Sequence, residues 1–256
     1  MTERREPTFR RGHRPATRAD LEALPLEIAP RLLGGLLATQ VEGELVVVRL
    51  TEVEAYHGLG TGAVPDPGSH ARAGQTARNA TMWGEPGHLY VYLSHGIHSC
   101  VNVVCGPDGV AGGVLLRAGE IVEGQDVAVR RRPRAQTARD LARGPGRLGQ
   151  ALGLRHPAHD GIDAIVGRGG LAVEGGVAAE GGVTAEGAVM ALGPEHAGAR
   201  ARLDLPRAAA ASISAGPRVG VAGVAGTHEF PWRFWIAGDP TVSSFRWGRG
   251  AAPPSA

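Results

Sequence analysis

Two glutamates, Glu52 and Glu54, interrupt the strand-like run ELVVVRLTEVEAY at a spacing of two, which places both on one face of a β-strand. Carboxylates so placed either activate water and shuttle protons or simply point to solvent. Tyr56 follows immediately, and Arg117 ends a second apolar strand, VLLR. A third stretch, LYVYLSHGIHSCVNVV, reads as a β-hairpin with His95 and Gly96 at its tip. Its first strand carries Tyr90 and Tyr92, two of only three tyrosines in the chain. A carboxylate, an arginine and tyrosines, each ending an apolar strand, are the materials of one polar pocket. His57 and His70 beside Glu54 raise a second chemistry, that of a metal-dependent hydrolase. No H-E-x-x-H, C-x-x-C or comparably closed spacing supports a metal there.

The elements that must position these groups fall into four regions. Residues 1–18 are polar and arginine-rich, and we expect a disordered basic tail. From Asp20, LEALPLEIAPRLLGGLLATQ reads as two short helical stretches broken by prolines, followed by the glutamate-bearing strand. A long loop containing His70 leads to the hairpin. After it come the strand GGVLLRAGEI, an arginine-rich helix and a second helix near GRLGQALGL. Residues of about 160–195 include VEGGVAAEGGVTAEGAV, in which Glu174, Glu180 and Glu186 recur every six residues. So short a repeat cannot stack a core, so we read a variable Gly/Ala/Glu-rich insertion. GPRVGVAG and FPWRFWIAGD then return to strand-like sequence, and 249–256 is a second tail. The whole predicts one α+β domain over 19–248, built on a mixed, mainly antiparallel sheet.

The 256 residues are 43% hydrophobic, enough to fill a core. No apolar run approaches the roughly 18 residues of a membrane span, and the N-terminus has no apolar signal region. We therefore expect a cytoplasmic protein without a membrane partner, with Cys100 and Cys105 as free thiols. The formal charge is only +2, yet all 27 basic side chains are arginine and none is lysine. They cluster in RREPTFRRGHR and in VRRRPRAQTARDLARGPGR. Such runs are often just solvated, but arginine also holds phosphate bidentately. Arg130, Arg131, Arg132, Arg134 and Arg147 are thus candidate nucleic-acid contacts, and a nonenzymatic nucleic-acid-binding protein is an alternative reading.

TEVEAY, SHARAGQTARNATMW, PGHLYVYLSHGIHSCVNVV, GVLLRAGE, GPGRLGQAL, PRVGV and PWRFW occur in this order across most of residues 27–245. Together they resemble the alkyladenine (3-methyladenine) DNA glycosylase family. The resemblance implies a curved sheet with a protruding, DNA-inserting hairpin. It implies excision of alkylated or deaminated purines from double-stranded DNA by a monomer associated with the nucleoid, without metal or cofactor. Carried over by position, it makes Glu54 the residue that activates water. Arg117 and the backbone carbonyl of Val221 hold that water. Tyr56, His70 and Tyr92 wall the base pocket, with Tyr92 rather than Tyr90 facing it, and Asn102 excludes normal guanine. His95 falls where better-known members carry a tyrosine that enters the DNA. A planar side chain at a hairpin tip can fill the space left by an extruded base, offsetting an unstacking cost of a few kcal/mol.

Overall fold

β-branched residues are densest around Glu52 and Glu54, and this run forms the longest strand of the structure, a computed structural model describing residues 12–165 and 195–252. In chain order the strands are β1 (His13–Pro15), β2 (Leu36–Val41), β3 (Glu44–His57), β4 (His88–Ser94), β5 (His98–Val104) and β6 (Gly112–Glu123). They continue as β7 (Ile162–Asp163), β8 (Ala199–Pro206), β9 (Ile213–Gly216) and β10 (Arg233–Ile236). Among the described residues three short α-helices accompany them: α1 (Pro25–Leu32), α2 (Gln125–Arg131) and α3 (Pro145–Leu152).

The sheet runs β1-β8-β2-β3-β6-β5-β4-β7, with β10 added to β3 and β9 to β10. Every pairing among the described strands is antiparallel, so the parallel component expected of a mixed sheet is not present there. β3 organises the sheet. Its first half pairs with β2 and its second with β10, while β6 runs along its other edge. Register shifts against β6 flank Glu52, and such bulges bend and twist a strand, which curls the sheet where the two glutamates stand.

Strand alternation then sorts the side chains. Val53 and Ala55 of β3, Leu89 and Val91 of β4, Val101 and Val103 of β5, and Val114 and Leu116 of β6 enter one apolar core. The same core takes Ile28, Ala29 and Leu32 of α1, Val127 and Ala128 of α2, and Leu148, Ala151 and Leu152 of α3. Burying each large aliphatic side chain there contributes roughly 1.5–3 kcal/mol. The intervening residues Glu54, Tyr90, Tyr92, Asn102 and Arg117 consequently face the other side, away from the helices. Over part of that face lies the loop of residues 58–87, through a small second cluster of Ala71, Met82, Tyr90, Val104 and Ala111.

The structure departs from the sequence reading in several places. Only PLEIAPRL is α-helical in the proline-broken region; LLATQ is β2, because its residues are needed between β3 and β8. Residues 13–18, placed in the expected N-terminal tail, are part of the fold. His13–Pro15 add a strand to β8, Arg14 forms a double ion pair with Asp20, and Arg18 bonds the Pro86 carbonyl and Asp163. At the other end Ala251 is buried. PRVGV is a turn rather than a strand. Glu174, Glu180 and Glu186 lie outside the described residues. Cys100 and Cys105 are buried free thiols. Among the described residues no helix is long and apolar enough to cross a membrane.

Candidate active site

The polar face of β3, β6, β5 and β4 opens into a cavity of about 640 Å³, within the range of small-molecule sites. Glu54, Tyr56, His70, Tyr92, Asn102, Arg117 and Val221, the residues expected to bind substrate or act on it, all line it. The hairpin tip reaches it through His95.

Neither glutamate points to solvent; both are fully buried, and their surroundings differ. Glu52 is enclosed by polar partners. Its Oε1 accepts hydrogen bonds from Arg117 Nε (3.1 Å), Arg233 Nε (2.7 Å) and the Ser243 hydroxyl (3.0 Å), and its Oε2 from the Ser243 N–H (2.7 Å). Glu54 faces the cavity. Its Oε1 accepts the Val219 N–H at 2.7 Å and lies 3.2 Å from Arg117 Nη1, while its Oε2 accepts the Tyr56 hydroxyl at 2.8 Å. Oε2 therefore retains an acceptor position. Arg117 bridges the carboxylates from mid-strand on β6. Burial alone would lower its pKa, but Glu54 and Glu52 outweigh it and the guanidinium is held more firmly protonated.

Aromatic side chains form the walls. Burial, then the Glu54 charge, raises the Tyr56 pKa well above its ordinary value, so its hydroxyl remains a donor to Glu54. Tyr92 is raised as well, first by burial and then by Cys100 across the hairpin. His70 stands edge-on to Tyr92 with ring centroids 4.6 Å apart, and its Nδ1 is 3.2 Å from the Tyr90 hydroxyl. Its backbone carbonyl is held by Asn79 Nδ2 at 3.0 Å. Burial and the charges of Arg78 and Arg72 lower its pKa, favouring a neutral ring. Tyr90 shares the cavity with Tyr92, contrary to the expectation that Tyr92 faces it alone, because β4 keeps unbroken register from Leu89 to Ser94. The two rings stack at 5.6 Å. Asn102, opposite Tyr90, donates Nδ2 to the Tyr90 carbonyl at 3.1 Å, which fixes its amide plane.

The turn after β9 closes the site through residues that sequence reasoning missed. Arg218 is fully buried and forms a double ion pair with Asp66, 2.8 Å at each contact. It also bonds the Ala55 and Ala225 carbonyls and lies 4.5 Å from the centre of the Tyr56 ring. This anchor sets the next residue, Val219, against Glu54. Val221 lines the cavity too, and Gly226 and Gly248 approach its carbonyl closely: a Cβ on either would lie within 2.0 Å of it. The backbone group this turn supplies to Glu54 is the Val219 N–H. No local pattern in RVGV marks that residue.

At the hairpin tip His95 and Gly96 both have positive φ, 50° and 72°, and the Ile97 N–H returns to the Ser94 carbonyl at 3.1 Å. Histidine tolerates this left-handed geometry better than most side chains. The tip is exposed, and Ile97 is 71% accessible.

The arginines separate into two groups. Arg130 pairs with Glu44 and Asp126, and Arg131 with Glu44 and the Ala151 carbonyl. Arg134 is exposed. Arg132 and Arg147 line the cavity, joined by Arg246, which the sequence reading did not select. His57 is not brought to Glu54. It is buried and stacked on Trp232 at 4.8 Å. Among the described residues no three His, Cys, Asp or Glu side chains are grouped to hold a metal ion.

The profile of a family described as methylpurine-DNA glycosylase matches residues 19–240 of the chain. A protein of Nocardia farcinica named "Putative 3-methyladenine DNA glycosylase" is 46% identical over 87% of this chain and 87% of its own length. Proteins with the same name from Leifsonia xyli subsp. xyli (43% identity, 88% and 89% coverage) and Frankia casuarinae (47%, 86% and 88%) are similar to it too.

Proposed function

Because the chain belongs to the methylpurine-DNA glycosylase family and is a DNA glycosylase for alkylated bases, we propose that it flips alkylated or deaminated purines from duplex DNA and hydrolyses their N-glycosidic bond with a water activated by Glu54. The observation that carries this reading is the state of Glu54. It is a fully buried carboxylate at an aromatic-walled cavity, with three donors compensating its charge and one acceptor position left on Oε2.

The chemistry follows from the leaving group. A purine alkylated at N3 or N7 is cationic, so its bond to the sugar is already weakened. As that bond breaks, its electron pair goes to the base and the sugar acquires oxocarbenium character. The Glu54 carboxylate faces this charge and takes a proton from water as the water oxygen bonds to C1′. One carboxylate suffices here, whereas ordinary glycoside hydrolysis uses an acid and a base. Arg117 and the Val219 N–H orient Glu54 from Oε1, leaving Oε2 for the water.

The walls select the base. Faces of Tyr56 and Tyr92 attract a cationic purine more than a neutral one, by about 0.5–2 kcal/mol per good contact. His70, kept neutral, offers a ring nitrogen to the base edge. The fixed amide of Asn102 is the group we assign to rejecting the exocyclic amino group of normal guanine. His95 enters the minor groove and fills the place of the extruded nucleotide. The test is release of free base from duplexes carrying 3-methyladenine, 7-methylguanine, hypoxanthine or ethenoadenine. We expect release of at least one by the native protein and none by Glu54→Gln. No release from any duplex, or release unaffected by the substitution, overturns the reading.

A further inference from the structure

We propose that Arg246 binds a phosphate of the DNA backbone, acting with Arg147 to hold the strand beside the flipped nucleotide; this rests on reading the cavity as a base-flipping site. The segment SSFRWGRG that contains it follows the last residue of the family match, residue 240, so the match assigns Arg246 no role.

Most arginines near the cavity already have anionic or carbonyl partners. Arg117 and Arg233 serve Glu52, Arg218 serves Asp66, and Arg143 bonds the Val242 carbonyl at 2.8 Å. Arg246 and Arg147 differ. Both are exposed and line the cavity, and among the described residues neither has a carboxylate within ion-pair distance. The position of Arg246 is defined by its neighbours. The Gly220 N–H bonds the Arg246 carbonyl at 2.9 Å, and the Arg246 Nε lies 3.6 Å from where a Cβ on Gly220 would stand. The guanidinium thus lies over the turn whose preceding residue, Val219, holds Glu54. Arg143 ties this segment to the one that leads into Arg147.

Unpaired like charges at one cavity mouth repel. Between Arg147 and Arg132 this adds to the effect of burial, which is the first cause of the lowered Arg132 pKa. An anion at the mouth relieves the repulsion, and a sugar whose C1′ faces Glu54 brings its own phosphates there. Guanidinium binds phosphodiester oxygens bidentately, which suits Arg246 to the task.

The experiment is the salt dependence of binding to two duplexes, one undamaged and one with a tetrahydrofuran abasic analogue that cannot be hydrolysed. Arg246→Ala should weaken both several-fold and reduce the slope of log K against log salt by roughly 0.9, the loss of one phosphate contact. Arg246→Lys should keep most of that slope. Arg130→Ala, which removes an arginine already paired with Glu44 and Asp126, should leave the slope unchanged. A native slope in Arg246→Ala with an unaltered melting temperature overturns the proposal, as does an equal slope change in Arg130→Ala. A native protein that binds DNA with this Arg246-dependent slope but releases no damaged base would overturn the glycosylase reading instead.

Discussion

Glu52 and Glu54 occupy the same face of β3, yet Glu52 meets two arginines and Ser243 while Glu54 meets the cavity. Glu54→Gln keeps the shape but cannot take a proton, so base release should disappear while affinity for lesion DNA stays within a few-fold. Glu52→Gln should act through the fold, because it leaves Arg117 and Arg233 short of buried negative charge. Breaking such a cluster costs about 3–5 kcal/mol. Chemical denaturation and single-turnover excision separate the two effects. A Glu54→Gln protein that loses stability like Glu52→Gln and still excises base would reverse the assignment.

His95 stands at positive φ on an exposed tip that borders the cavity. His95→Ala should slow excision from fully paired duplex by about tenfold. It should have a smaller effect on a mispaired or single-stranded lesion, whose extrusion costs less. His95→Tyr should tighten lesion binding. Equal losses on paired and unpaired substrates would show that the tip does not act as a wedge.

How much of this was legible in the sequence depended on range. The period of two was enough to put Glu52, Glu54 and Tyr56 on one face and Tyr90 with Tyr92 on another strand. It could not choose between the glutamates, because the choice is made by Arg233 and Ser243, far along the chain. Arg130 and Arg131 sit in a run read as phosphate-binding, and nothing nearby announces their pairing with Glu44, which lies across from them only after β3 and α2 pack. Arg218 and Asp66 carry no motif at all; their pairing exists only once the 58–87 loop folds over β3. The ordered motif blocks carried the family, which local pattern could not, but they singled out neither Arg218 nor Asp66.

The Arg218–Asp66 pair supports Val219, and through it Glu54. Asp66→Ala leaves a fully buried guanidinium without its carboxylate and should cost about 3–5 kcal/mol. Excision should slow in the protein that remains folded, since the Val219 N–H loses its fixed place. Asp66→Asn, which keeps the hydrogen-bond acceptor, should recover part of both. If Asp66→Ala melts at the native temperature, the pair is not a structural anchor.

His57 sets an acid limit on stability. Its Nδ1 faces the Thr61 carbonyl at 3.3 Å and therefore carries the proton, while its Nε2 is buried with no hydrogen-bond partner. Burial lowers its pKa below the ordinary value of about 6.5. The unfolded chain thus takes up the proton first as pH falls, so the stabilisation is present above about pH 6.5 and declines below it. His57→Phe should flatten the decline by up to about 1.4 kcal/mol per pH unit, read from denaturant unfolding between roughly pH 7 and 5. Parallel declines in both proteins would place the acid sensitivity elsewhere.

The chain contains no lysine, and that bears on what the enzyme leaves behind. Glycosylases that also cut the backbone commonly form a Schiff base between an amine and the sugar, for which a lysine side chain is the usual donor. The cavity presents Glu54 and three guanidinium groups at its mouth, Arg132, Arg147 and Arg246, and guanidinium stays protonated and does not add to an aldehyde. With no side-chain amine to compete, the proposed mechanism keeps water as the nucleophile, and the product should be an intact abasic site. Borohydride added during turnover should trap no protein–DNA adduct, and strand breaks should appear only after alkali or an added abasic-site nuclease. Efficient trapping, or β-elimination that keeps pace with base release, would require an amine in the reaction and would remove the case for water activated by Glu54.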